Sequence, residues 1–205
     1  MKHTEGTHFI GITGGVGAGK SRVLRYLKET VSCRIIYADE EALKFYVPGN
    51  DIFGKIIEAV GEDVLDGAGG IDKRKMAAKI FSDDKLLLRV NDIVHPAVRD
   101  VIIRTMDEAR ALGDKDFLFV EAALLIECGY ESILDELWYV YASEDTRRRR
   151  LKESRGYTDG KIDGIFASQL AEDEYRKHCH RVIDNDSSIE VMQDSVDGIL
   201  KEYLG

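Results

Sequence analysis

The sequence predicts an α/β fold with a mainly parallel sheet, and three observations lead to that prediction. Short apolar runs typical of buried strands alternate with segments whose apolar residues have helical spacing. The first run passes directly into a glycine-rich turn, and the next two end in acids, Asp39 and Glu121. Because ligands bind at the carboxyl ends of parallel strands, we expect these three strand ends to form one crevice. The predicted strands are Phe9–Thr13, Cys33–Asp39, Phe117–Glu121, Leu137–Tyr141 and Arg181–Asn185.

The glycine-rich turn fits the pattern G-x-x-x-x-G-K-[ST]. A strand precedes it and a helix follows it, which is the context that a phosphate-binding loop requires. Glycines let successive N–H groups converge on phosphate oxygens, and the positive end of the following helix faces the same anion. Lys20 is placed to reach the β- and γ-phosphates, and the Ser21 hydroxyl to ligate Mg²⁺. We therefore predict that a nucleoside triphosphate binds to Gly14, Gly15, Val16, Gly17, Ala18, Gly19, Lys20, Ser21 and Arg22.

A dinucleotide-binding turn fits this segment less well. The pattern G-x-G-x-x-G starting at Gly17 would need glycine where the chain has Arg22. The sequence therefore favours a triphosphate over a dinucleotide.

The composition excludes several other classes of protein. A net charge of −9 and a pI near 5.1 argue against general nucleic-acid binding. Apolar runs are too short to span a membrane, and we expect no signal peptide because the first residues lack an apolar segment. The 3 cysteines are scattered without a C-x-x-C pair, as expected for free thiols in a reducing cytoplasm.

We expect a single domain over residues 1–205, with a helical insert at 40–113 and a charged, helical lid at 144–180. In the insert, Asp72 caps a helix that continues to Phe81, and a second helix carries Leu86, Leu87, Val90 and Val94. Pro96 lies in the first turn of a third helix that Gly113 ends. Ser187 and Glu190 form a capping box for the last helix of the chain.

The two acids at the predicted strand ends each have two interpretations. Glu121 follows four apolar residues, and it either orders Mg²⁺ and its waters or caps a neighbouring helix. Asp39 either orients an attacking hydroxyl and accepts its proton, or is the N-cap of a helix beginning near Glu40. The sequence leaves both alternatives open.

Four consecutive arginines, Arg147 to Arg150, begin the predicted lid. Consecutive residues on a helix point in different directions, so at least one or two of these arginines are solvated. Arg150 and Arg155 are the candidates for closing on the transferring phosphoryl group. A metal site at His178-Cys179-His180 is disfavoured, because these side chains face different ways and no second ligand pair follows.

These residues together resemble the dephospho-CoA kinases, the last enzymes of coenzyme A biosynthesis. The resemblance extends from Ile10 to about Asn185, and the glycine loop alone would point only to a large superfamily. More specific are the segment Ile93-Val94-His95-Pro96-Ala97-Val98-Arg99 and the segment Leu124-Leu125-Ile126-Glu127. Further matches are Ala38-Asp39, Ile80-Phe81, Arg150-Leu151, Arg155-Gly156, Gln169 and Val182-Ile183-Asp184-Asn185.

The resemblance implies a phosphate-loop core, a CoA-binding helical insert and a lid. The implied reaction moves the γ-phosphoryl of ATP, with Mg²⁺, to the ribose 3′-hydroxyl of dephospho-CoA. The implied catalytic residues are Asp39, Lys20 and Arg150, and the implied metal ligands are Ser21 and Glu121. The candidate contacts to the substrate are His95, Arg99, Glu121, Leu124 and Arg155. We expect a monomer or a weak homo-oligomer with no nucleic-acid or membrane partner.

The chain departs from the family pattern at four points. Tyr37 stands where the family usually has Asp, and a tyrosine cannot replace an acid as a metal ligand there. Glu121 stands where Asp is common, and Ala123 where Pro is usual. The spacing from Arg150 to Arg155 is one residue longer than in some relatives, so Arg155 matches the second lid arginine of the family less closely than Arg150 matches the first.

Two other functions compete with this one. Another small-molecule or nucleoside monophosphate kinase would explain the loop, Asp39 and the lid, but not the His95-Pro96 segment. A non-catalytic nucleotide-binding regulator is disfavoured, because Lys20, Ser21, Asp39 and Arg150 are all present. A GTPase would need Asn-Lys-x-Asp, and the sequence does not contain it.

Overall fold

The computed structural model describes residues 6–204, and within them five strands form one sheet in the order β2-β3-β1-β4-β5. The strands are β1 His8–Thr13, β2 Cys33–Tyr37, β3 Phe117–Glu121, β4 Glu136–Tyr141 and β5 Arg181–Asp184. β1 pairs in parallel with both β3 and β4, and β4 pairs in parallel with β5. The predicted α/β fold with a mainly parallel sheet is confirmed.

Helices connect the strands. They are α1 Lys20–Thr30, α2 Ala38–Lys44, α3 Asp51–Val60, α4 Lys73–Phe81, α5 Asp84–Leu112, α6 Glu144–Arg155, α7 Asp159–Ala167, α8 Glu172–His178 and α9 Ile189–Leu204, with short 3₁₀ helices at Glu62–Val64 and Tyr130–Ser132. In the part of the chain described, no helix is both long enough and apolar enough to cross a membrane.

Both faces of the sheet are covered at its centre. The four consecutive residues Phe117 to Val120 of β3 are all 0% exposed, although neighbouring side chains on a strand point to opposite faces. From α1, the predicted apolar residues Val23, Leu24 and Leu27 are buried. The glycine loop begins at the carboxyl edge of these buried strands.

The chain divides into two compact units, one with residues up to Ile36 and from Glu108, the other Tyr37–Asp107. The second unit contains α2, α3, α4 and most of α5. The predicted cap of α4 is confirmed, because the Asp72 carboxylate accepts hydrogen bonds from the backbone N–H groups of Arg74 at 2.8 Å and Lys75 at 3.2 Å. That the segment binds the acceptor stays a prediction.

The prediction of two helices separated near Pro96 is wrong, because α5 is one helix with Pro96 inside it. Proline removes one backbone hydrogen bond and crowds the preceding turn. The helix continues because its apolar stripe remains buried on both sides of the proline, at Val90, Val94, Val98 and Ile102. Gly113 ends the helix as predicted, with a φ of 58° and its N–H donating to the Ala109 carbonyl at 2.9 Å.

Two predicted boundaries are also wrong. β2 ends at Tyr37 and α2 begins at Ala38, so Asp39 lies in the first turn of a helix and not at the end of a strand. The last helix begins at Ile189, and the cap is Ser188, whose Oγ accepts from the Val191 N–H at 3.4 Å. Glu190 is therefore the second residue of α9 and does not occupy the third position that a capping box requires.

Candidate active site

The glycine loop leaves β1 after Thr13 and ends at Lys20, the first residue of α1. Gly14, Gly17 and Gly19 have φ angles of 144°, 86° and 94°, which residues with a Cβ rarely adopt. At Gly14 an added Cβ would also lie 2.5 Å from the Val140 carbonyl oxygen. This glycine is required both by its backbone angle and by the strand beside it.

Lys20 and Glu121 meet at the carboxyl edge of the sheet. Glu121 of β3 is in register with Ile12 of β1, two residues before the loop. The Lys20 ammonium lies 3.6 Å from Glu121 Oε1 and donates to the Gly14 carbonyl at 2.9 Å. Both side chains are largely withdrawn from water, at 13% and 18% exposed. The structure therefore brings the predicted phosphate lysine and the predicted acid together beside the loop.

Arg150 of α6 supports the far end of the loop. Its guanidinium donates to the carbonyls of Ala18 at 3.2 Å and Asn185 at 2.7 Å. The Asn185 side chain, 0% exposed, donates to the same Ala18 carbonyl at 2.6 Å. Burial lowers the pKa of Arg150, and the charges of Arg22 and Arg149 lower it further. Arg150 therefore binds the backbone of the glycine loop through the Ala18 carbonyl.

Arg147, one turn before Arg150, supports the middle of the loop. Its Nε donates to the Val16 carbonyl at 3.0 Å, and its Nη2 donates to the side-chain oxygen of Gln169. The same Gln169 oxygen accepts from the Val16 N–H at 3.3 Å. Arg150 and Arg155 were predicted from the sequence of this region, whereas Arg147 was missed. The spacing of Arg147 and Arg150, three residues apart and so on one helix face, was a pattern that could have identified the pair.

The other arginines of the lid region have different surroundings. Arg148 forms ion pairs with Glu144, Asp159 and Asp163, and Arg149 is exposed. The guanidinium of Arg155 lies 5.9 Å from the Tyr157 ring, at the turn that follows α6. Of the four consecutive arginines, Arg147 and Arg150 therefore contact the loop, whereas Arg148 and Arg149 do not.

The remaining candidates of the first unit lie on the surface near these strand ends. Ser21 and Arg22 are exposed residues in the first turn of α1. Leu124 lies in the turn after β3 and is 44% exposed, whereas the following Leu125 is 0% exposed. Across residues 6–204, no group of three or more His, Cys, Asp or Glu side chains is arranged to hold a metal ion.

Asp39, His95 and Arg99 belong to the second unit. Asp39 is exposed in the first turn of α2, whose N-cap is Tyr37 and has no side-chain capping hydrogen bond. The alternative in which Asp39 is an N-cap is therefore wrong. His95 and Arg99 lie four residues apart on α5, and this spacing puts both on one face of the helix.

Comparison with known proteins decides the family. The family model for dephospho-CoA kinase matches residues 8–191. The chain belongs to the dephospho-CoA kinase family. A dephospho-CoA kinase from Carboxydothermus hydrogenoformans is 33% identical over 194 residues, which cover 95% of this chain and 93% of the relative. The dephospho-CoA kinases are transferases of coenzyme A biosynthesis, and phosphorylation of dephospho-CoA is the activity of the family.

Solved structures agree with this assignment. A Thermus thermophilus protein superposes with a TM-score of 0.80 and 26% identity, covering 98% of this chain and 100% of that one. A dephospho-CoA kinase from Campylobacter jejuni has the same fold, with a TM-score of 0.70 at 21% identity, covering 95% and 96% of the two chains. The phosphate-loop α/β fold of the dephospho-CoA kinases is therefore the fold of this chain.

Gly14→Ala adds a Cβ at a strained φ and against the Val140 carbonyl, so we expect the free energy of unfolding to fall by about 1–3 kcal/mol. Because the loop would shift, the rate of phosphoryl transfer should fall by about a hundredfold. Urea unfolding and an ADP-release assay measure the two effects.

Gly164→Ala is the matched control. Gly164 lies inside α7 with no atom within 4 Å of an added Cβ, so alanine should stabilise the protein by about 0.5–1 kcal/mol and leave turnover unchanged. Equal behaviour of the two alanine variants would contradict the role given to Gly14.

Proposed function

We propose that this chain transfers the γ-phosphoryl group of ATP to the ribose 3′-hydroxyl of dephospho-CoA, giving coenzyme A and ADP. The observation that supports this most strongly is the Lys20–Glu121 pair beside a glycine loop, in a chain of this family. The acceptor oxygen forms a bond to the γ-phosphorus, and the bond from that phosphorus to the β–γ bridging oxygen breaks. The hydroxyl proton passes to a carboxylate, which we assign to Asp39.

The first unit supplies the donor side of the reaction. Within the loop the Val16 N–H donates to Gln169 and the Ala18 N–H to the Gly15 carbonyl, so we assign the other N–H groups between Gly14 and Gly19 to the phosphates. The helix α1 adds the positive end of its dipole. Lys20 neutralises charge on the β- and γ-phosphates, where negative charge moves during transfer. Arg150 keeps the end of the loop in place, and we retain it as a candidate for closing on the transferring group.

The side chains of Ser21 and Glu121 fit a magnesium ion, because hydroxyl and carboxylate oxygens are ligands that Mg²⁺ prefers. Mg²⁺, when bound, neutralises charge on the β- and γ-phosphate oxygens. Residues 6–204 contain no group of three or more His, Cys, Asp or Glu that could hold a metal, and in this proposal the nucleotide and water would supply the other ligands. Glu121 would supply the carboxylate ligand, and Tyr37 has none to add.

The second unit supplies the acceptor side in this proposal. Asp39 is exposed and does not cap its helix, so its carboxylate is available to accept a proton. His95 and Arg99 share a face of α5 and are assigned to the acceptor. Leu124 and Arg155 of the first unit carry the same assignment. These roles are those that the family resemblance implies.

We also propose the cytoplasm as the location, because the three cysteines are scattered thiols suited to a reducing compartment. A monomer or a weak homo-oligomer remains our prediction for the assembly.

The choice of acceptor tests this function directly. We expect ADP release from ATP with dephospho-CoA as acceptor, and rates lower by at least about a hundredfold with adenosine or CMP, which lack the remote groups that bind and orient the substrate. A coupled assay for ADP measures all three. Equal rates with CMP would favour a nucleoside monophosphate kinase and contradict the proposal.

Asp39→Asn tests the proposed base. Asparagine keeps the size of the side chain but cannot take the proton, so kcat should fall by about 10²–10⁴ while the affinity for ATP stays nearly unchanged. Steady-state kinetics and ATP titration give the two values.

Glu40→Gln is the control for this experiment, since it removes the same charge from the same exposed first turn of α2. We expect it to keep normal turnover. A fully active Asp39→Asn enzyme, or an equal loss in Glu40→Gln, would show that Asp39 is not the base.

A further inference from the structure

Arg147 is a half-buried arginine whose contacts converge on the middle of the phosphate loop. Its Nε donates to the Val16 carbonyl, and its Nη2 donates to Gln169. The Phe166 ring lies 4.3 Å from the guanidinium carbon, as in a cation–π contact. Gln169 in turn accepts from the Val16 N–H, so both backbone polar groups of Val16 are held by side chains from the 144–180 segment.

No carboxylate lies within ion-pair distance of Arg147 in the described part of the chain, and Glu144 acts on its charge only from further away. Arg148, the next residue, has three acidic partners, whereas none of the ion pairs among residues 6–204 includes Arg147. Burial lowers the pKa of Arg147, but a guanidinium remains protonated in proteins. A positive charge that is partly withdrawn from water therefore lies directly against the loop.

Gly15 leaves space for this guanidinium, and its own backbone angle does not call for glycine. Its φ is not among the positive values of the other loop glycines. A Cβ at Gly15, however, would overlap the guanidinium group of Arg147, with Nη1 only 2.7 Å away. The second glycine of the loop thus makes room for the arginine.

We propose that Arg147, Phe166 and Gln169, here named the arginine clamp, position the phosphate loop for ATP by holding Gly15 and Val16, and that the unpaired charge of Arg147 strengthens binding of the polyphosphate. The proposal rests on the proposed function, since it requires the loop to bind ATP. Arg147 is a positioning residue here, because its described contacts are to the loop and not to reacting atoms.

The physical reason is preorganisation. A flexible glycine-rich loop would lose conformational entropy on binding ATP, and a loop already fixed loses less. The clamp fixes Val16 through two hydrogen bonds, one from Arg147 of α6 and one to Gln169 in the turn after α7, and a third hydrogen bond joins Arg147 to Gln169. A positive charge in a poorly hydrated position also attracts phosphate more strongly than one in water.

Four variants test the clamp by ATP titration and steady-state kinetics. Arg147→Met keeps length but removes the charge and the donors, so Kd and KM for ATP should both rise about ten- to a hundredfold, the value of a hydrogen bond to a charged group. The KM for dephospho-CoA should not change. Arg149→Met, which removes an exposed charge from the same helix, should behave as the wild type.

The Gln169 variants separate positioning from simple loss of charge. Gln169→Leu cannot accept either hydrogen bond, so the Kd for ATP should rise about three- to tenfold. Gln169→Glu can accept both, from Arg147 and from the Val16 N–H, but its carboxylate neutralises the charge of Arg147. The loop should keep its position, and the Kd for ATP should rise and depend less on salt concentration than in Gln169→Leu, because only the electrostatic attraction is lost. If Arg147→Met does not fold, as judged by circular dichroism, this pair still decides the question.

A double-mutant cycle between Gly15 and Arg147 gives a further readout. Gly15→Ala should weaken ATP binding about tenfold in the wild type because it displaces the guanidinium. In an Arg147→Ala background the space is open, so the same change should cost much less. Additive effects on Kd would overturn the contact that the proposal requires.

Two other outcomes would also overturn it. An unchanged Kd for ATP in Arg147→Met and Gln169→Leu would show that the clamp has no role in nucleotide binding. A loss confined to kcat, equally large in Gln169→Glu and Gln169→Leu, would assign the residues to the chemical step instead. If the proposed function were wrong, the wild type would bind ATP yet fail to phosphorylate dephospho-CoA, which is a different result from any of these.

Discussion

The structure around the active site depends on how the backbone carbonyls of the phosphate loop are satisfied. If the N–H groups of the loop are to face an anion, its carbonyls must find donors elsewhere. Every second carbonyl accepts from a cationic side chain: Gly14 from Lys20, Val16 from Arg147 and Ala18 from Arg150. These bonds orient the loop and place three positive charges beside it.

Hydrogen bonds between the start of α6 and the end of β5 hold two of those donors, Arg147 and Arg150, in place. The backbone N–H and Oγ of Ser143 donate to the Asp186 carboxylate at 2.7 and 2.6 Å, and these bonds lower the pKa of Asp186. They tie the start of α6 to the end of β5, from which buried Asn185 also reaches the loop. A helix fixed in this way presents arginines three residues apart to the loop, while β3 presents Glu121 to Lys20.

The parts that were predicted correctly from the sequence are those determined by local pattern. The loop motif, the apolar strand runs and the Asp72 cap depend on a few neighbouring residues. The continuous helix through Pro96 was missed because burial of its apolar stripe, a tertiary effect, outweighs the local cost of proline. Arg147 was missed because its partners, Val16 and Gln169, are far away in the chain, and four consecutive arginines look alike in sequence. The place of Asp39 was missed because strand and helix meet there without a polar cap.

Our central claim is that this loop holds ATP for transfer to the ribose of dephospho-CoA. The most direct measurement follows the labelled γ-phosphoryl group of ATP into product in the wild type, in Lys20→Met and in the exposed control Lys28→Met. We expect the label as a phosphomonoester removable by a 3′-nucleotidase, with transfer at least about a hundredfold slower in Lys20→Met and unchanged in Lys28→Met. Equal transfer by Lys20→Met, or label at a position that the nucleotidase does not release, would contradict this account.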